Sequence, residues 1–160
     1  MGNHESASKG LETRRVAAMS KVYFAILADR WNLRRAARHS GNPKLKRRLR
    51  LLAFRRYRQA TDLAETSALN DIAAHATSSV DSFSRDIGRA NEISTVAACL
   101  RSNRRLRIAL ERALAVNPPD RVAQRLTELR DSSSAEAGLL EARLRHIAMQ
   151  GFAGSPPIED

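Results

Sequence analysis

A chain of 160 residues has the length of one ordinary domain, with 42% hydrophobic residues to bury a core without staples. Ala, Leu, Arg, Glu and Lys supply 81 of the 160 residues, a composition of long helices that argues against a β-rich fold, and the single cysteine, Cys99, excludes an internal disulfide framework. The net charge of +11 lies in the first part of the chain: residues 1–60 hold 16 Lys and Arg against Glu5, Glu12 and Asp29, while residues 61–160 are nearly balanced.

In chain order, residues 1–10 are polar and read as a flexible tail, without the apolar core of a signal peptide. From Leu11 to His39 there is no Gly or Pro, and Val16, Met19, Tyr23, Ile26 and Leu33 recur at helical spacing, with Phe24, Leu27 and Trp31 widening the stripe. Arg30 falls on the same stripe. The turn Ser40-Gly41-Asn42-Pro43 supplies a glycine stop, an asparagine N-cap and a proline at the first helical position, so the next helix folds back antiparallel to the first. That second helix is predicted from Pro43 to about Thr66, with Leu45, Leu49, Leu52, Ala53, Tyr57, Ala60, Leu63 and Ala64 inward.

Residues 67–85 keep a weaker helical pattern through Leu69, Ile72, Ala73, Ala76, Val80 and Phe83, which predicts a short crossover helix. A third helix follows from about Glu92 to Val116, with Val96, Cys99, Asn103, Leu106, Leu110 and Ala113 on one side. Asn117-Pro118-Pro119-Asp120 breaks it. The fourth helix carries Val122, Leu126, Leu129, Ser133, Ala137, Leu140, Leu144 and Ile147 at alternating three and four spacing, with small residues in its middle suited to close approach. Residues 150–160 read as a second flexible tail. The expectation is one all-α domain over 11–149, a four-helix bundle of ferritin-like connectivity with a crossover helix between helices two and three.

The cations are concentrated at the first turn. Lys44, Lys46, Arg47, Arg48, Arg50, Arg55, Arg56 and Arg58 follow one another with no acid among them. Arg34, Arg35 and Arg38 end the preceding helix nearby. The candidate polyanion-binding face therefore comprises Arg34, Arg35, Arg38, Lys44, Lys46, Arg47, Arg48, Arg50, Arg55 and Arg58. Arginine outnumbers lysine 24 to 4, and its planar fork suits phosphate contact; a GC-rich genome raises Arg and Ala together as well.

The stretch Asn42-Pro43-Lys44-Leu45-Lys46, the run Ala98-Cys99-Leu100-Arg101 with Leu110-Glu111-Arg112-Ala113-Leu114, and the Pro118-Pro119 start of helix four resemble an uncharacterised family of bacterial ferritin-like four-helix-bundle proteins. The similarity covers roughly residues 18–148 and implies the fold. Ferritin-like proteins often hold a di-iron site, built from carboxylates on all four helices with a Glu-x-x-His on two of them. This chain has no Glu-x-x-His: Arg143 precedes His146 and Ile72 precedes His75 at that spacing, His4 and His39 lie in a tail and a turn, and Asn103 occupies an inward position where a carboxylate is needed. Asp71 and His75 form an i, i+4 pair that reads as surface. A metal-free bundle without a cofactor is expected.

No nucleophile elbow or phosphate-binding glycine loop is present in the sequence. Cys99 on its apolar stripe reads as a buried thiol, and the match of Met1-Gly2-Asn3-His4-Glu5-Ser6 to a myristoylation pattern reads as chance in a chain of bacterial character. The expected function is a cytoplasmic, non-enzymatic bundle that binds nucleic acid or another polyanion. Its alternatives are a ferritin-like metal-binding stress protein, a peripheral membrane protein anchored by Trp31 and Phe24, and a protein-interaction bundle. The last predicts exposed Leu51 and Phe54, an acidic partner surface or a homo-oligomer.

Overall fold

A computed structural model describes residues 2–67, 69 and 92–153, with side chains over 9–67, 69 and 92–150. The described residues are helical apart from short turns: α1 is Gly2–His39, α2 Pro43–Thr66, α3 Glu92–Leu114 and α4 Asp120–Ala153. The predicted crossover helix over 67–85, with Ile72, Val80, Phe83 and the Asp71–His75 pair, falls almost wholly outside the described residues. Among those described, no helix is long and apolar enough to cross a membrane.

α1 packs along both α2 and α3, and α4 packs along α3 and, more sparsely, along α2. The bundle is thus a square in which α1 and α4 face each other across the centre. Two apolar clusters fill it. At one end Met19, Val22, Ile26, Leu63, Leu106, Leu110 and Leu126 meet; at the other, Leu33, Leu45, Leu49, Val96, Cys99 and Leu140 do so. Residue numbers rise through the layers in α1 and α4 and fall in α2 and α3, so every neighbouring pair is antiparallel.

The turns follow local chemistry. Asn42 Oδ1 accepts a hydrogen bond from the Leu45 amide at 3.1 Å, and Pro43 opens α2 where its missing N–H costs nothing. Gly41 does not act as the left-handed stop expected of it, because among the described residues no glycine has a positive φ; the Ser40 amide instead donates to the Ala36 carbonyl. Asn117 has a left-handed backbone, φ 48°, which asparagine tolerates after a helix and which Pro118 follows. From α1, Arg15 reaches the Val116 and Asn117 carbonyls at 3.4 and 2.6 Å, placing a cation at the negative end of α3.

Four expectations are corrected. α1 begins at Gly2, so the tail assigned to 1–10 is largely helix, and α4 continues to Ala153, into the tail assigned from 150. Val16 and Phe24 face solvent, because the inward line of α1 runs through Val22, Ile26, Asp29, Leu33 and Ala36 instead. Tyr57 is 49% exposed and Arg56 takes its place inside, since the line through Leu45, Leu49, Leu52, Ala60 and Leu63 passes through position 56. On the exposed side of α4, a Cβ on Gly138 would touch nothing within 4 Å. An alanine at this exposed helical position removes backbone freedom from the unfolded chain without a clash. Gly138→Ala is therefore expected to raise stability by roughly 0.4–1 kcal/mol in a denaturant titration; an unchanged or lowered midpoint would contradict the open helical environment.

Candidate functional site: a basic face over a buried arginine

α2 sorts its cations into two environments. Arg56 is 0% exposed, a guanidinium at the centre of the bundle. Its Nε donates to Asp29 Oδ2 of α1 at 2.7 Å, Nη1 to Gln59 Oε1 at 2.8 Å, and Nη2 to Glu136 Oε2 of α4, with the Ser133 hydroxyl at 3.5 Å. Ser132 donates to the other Glu136 oxygen at 3.3 Å. From α3, Ser102 lies beside Asp29, and both Ser102 and Asn103 are buried. All four helices thus contribute polar groups to a layer lying between the two apolar clusters.

Burial raises the pKa of both carboxyls, while Arg56 draws each back toward its charged form. The layer does not have the donors of a di-metal site. It offers two carboxylates from opposite helices, and the guanidinium occupies the space between them. Among the described residues no group of three His, Cys, Asp or Glu side chains is placed to hold a metal. Cys99 lies near this layer, its thiol donating weakly to the Asn32 carbonyl at 3.8 Å. Desolvation, and then the charge of Asp29, push its pKa up to about 12.

The remaining cations point outward. Arg34, Arg38, Lys44, Arg47, Arg48, Arg50, Arg55 and Arg58 are exposed; Lys46 and Arg35 are half-buried. Arg35 lies over the Trp31 ring at 5.2 Å, and Arg30, whose place on the apolar stripe of α1 was awkward, lies over the Tyr57 ring at 4.7 Å between α1 and α2. Stacking of this kind lets an arginine cover apolar surface while its charge stays hydrated. The short turn at 40–42 brings the end of α1 beside the start of α2, and the ten predicted cations gather at that end and along the outer side of α2.

Sequence reasoning counted Arg56 in the acid-free basic block, left it out of the ten-residue face, and did not identify the buried layer. Tyr57, expected inward, is on the surface, Phe54 is 60% exposed, and Leu51 between the arginines is 56% exposed. No family model, curated protein or solved structure matches the chain.

Two outcomes follow from the geometry. Arg56→Ala leaves two desolvated carboxylates facing a cavity and is expected to cost about 3–5 kcal/mol, whereas replacing Asp29, Arg56 and Glu136 together by leucine or methionine recovers most of that loss, both read from denaturant midpoints. Because Cys99 is buried and desolvation holds its thiol protonated, it is expected to resist iodoacetamide at pH 8 in the folded chain and to react fully in denaturant. Rapid labelling of the native protein would place the thiol elsewhere.

Proposed function

We propose that this chain is a non-enzymatic helical bundle, acting in the cytoplasm, that binds nucleic acid or another polyanion through the basic face of α1 and α2. The observation that carries the reading is the sorting of α2: one arginine is neutralised inside by two carboxylates, while Lys44, Arg47, Arg48, Arg50, Arg55 and Arg58 are exposed along a segment that contains no acid. The ion pairs made by Arg15, Arg125, Arg130 and Arg143 lie outside this face. A surface of this kind gains free energy by releasing the counterions condensed on a polyanion.

A ferritin-like connectivity fits the adjacency of the helices. α2 and α3 occupy opposite corners and run parallel, an arrangement compatible with that architecture. The metal-free form of the fold is the one proposed, because Asp29 and Glu136 are engaged by Arg56. Exposure of Leu51 and Phe54 favours a second reading, a protein-interaction surface, in which the anionic partner is a polypeptide.

A salt titration of binding to a labelled random duplex and a labelled single strand tests the proposal. Binding is expected to weaken linearly on a log–log plot with salt, and the triple variant Arg47→Glu, Arg48→Glu, Arg55→Glu is expected to lose at least about a hundredfold in affinity at constant helicity. Binding that survives the triple reversal would overturn the assignment of the face.

A further inference from the structure

The outer side of α2 is not uniformly cationic. Arg47, Leu51, Phe54 and Arg58 succeed one another at spacings of four, three and four, which makes them one continuous ridge on the helix surface. Leu51 has Arg47, Arg48 and Arg55 as its other neighbours one turn away, and Phe54 has Arg50, Tyr57 and Arg58. Two large apolar side chains, 56% and 60% exposed, therefore sit side by side within a ring of five arginines and one tyrosine. Toward the start of α2 the ridge borders a shallow hollow lined by Pro43, Lys46, Arg47, Arg50 and Leu51.

We propose that this ridge is a docking site for an acidic amphipathic helix of a partner protein, its apolar side chains on Leu51 and Phe54 and its Asp and Glu residues on the surrounding arginines. The inference rests on the basic-face reading above and names the partner of that face. An apolar centre with a polar rim is the anatomy of a protein docking patch, in which the central anchors carry most of the affinity and the rim sets orientation and choice of partner. Charge selects the occupant. A second copy of this chain, paired through the same ridge, would set Arg47, Arg50, Arg55 and Arg58 against their own kind, and α2 has no acid before Asp62 to relieve them. A phosphate backbone would answer the arginines and leave Leu51 without an apolar counterpart. An acidic helix with apolar residues at three-four spacing answers both.

The test uses the full chain and four probes: a labelled 18-residue helix with Leu at the a and d positions and Glu at most others, a scrambled peptide of the same composition, a dT20 oligonucleotide, and the chain itself in a dilution series. The amphipathic peptide is expected to bind at least about tenfold tighter than the scrambled one. Leu51→Ala with Phe54→Ala, a surface change compatible with helix, is expected to erase that difference while leaving dT20 affinity within about twofold. Triple reversal of Arg47, Arg48 and Arg55 is expected to abolish both. Equal binding of the two peptides, or a difference that survives the double alanine variant, overturns the docking site and leaves the polyanion face standing. Loss of dT20 binding in the double alanine variant overturns it in favour of a single strand stacked on Phe54, and a concentration-dependent dimer lost in that variant overturns it in favour of self-association. Survival of dT20 binding in the triple reversal overturns the polyanion face itself.

Discussion

The bracket that Arg56 makes between Asp29 and Glu136 constrains the rest of the bundle. α1 and α4 face each other across the centre, and a guanidinium from α2 joins a carboxylate of each, with Ser102 of α3 beside Asp29. A group this polar is expensive to bury, and its ion pairs recover the cost only if the partners meet it with good geometry. A slide of α1 or α4 by one turn would pair an apolar residue with Arg56 and strand a carboxylate in leucine. The two apolar clusters above and below specify register less sharply, because an apolar side chain needs complementary volume but no particular bonding partner. The polar layer therefore sets the vertical register, and the apolar layers supply the driving force.

That arrangement also explains how one helix carries eight cations without conflict. α2 has a single buried line, and only one cation falls on it. The others sit on surface that water, a polyanion or an acidic helix can reach, and their mutual repulsion is a reason for the face to seek anions. Arg30 and Arg35 are held flat on Tyr57 and Trp31, so part of the aromatic surface of α1 and α2 is already covered by cations. Leu51 and Phe54 have no such cover, and their exposure in the centre of the arginines gives the face a chemical texture beyond charge.

At its two ends the bundle relies on side chains that satisfy backbone groups. Asn42 caps α2, and Arg15 closes the end of α3 from a different helix. The first is a short-range signal, visible as Asn-Pro in the chain. The second joins residues about a hundred positions apart and depends on α1 running past the turn between α3 and α4.

The order of the helices, the turns at 40–42 and 115–119, most of the inward positions and the location of the basic block were all legible in the amino-acid sequence, because each depends on residues within a few turns of one another. Helical periodicity identified Leu49, Leu106, Leu126 and their neighbours, and the acid-free run from Lys44 to Arg58 needed no structure to be noticed. The polar layer left a signal too: each inward line carries polar residues at this level, Asp29 on α1, Arg56 on α2, Ser102 and Asn103 on α3, and Ser133 and Glu136 on α4. It was missed because an arginine among arginines reads as surface and Tyr57 as core, and a helix phase error of one residue exchanges the two. Glu136 and Asp29 lie 107 positions apart, and nothing local shows that they share one guanidinium. Sequence alone determined that this chain forms amphipathic helices with a cationic flank; tertiary packing decided which arginine is inside, since only the meeting of distant helices could supply the carboxylates that make its burial tolerable.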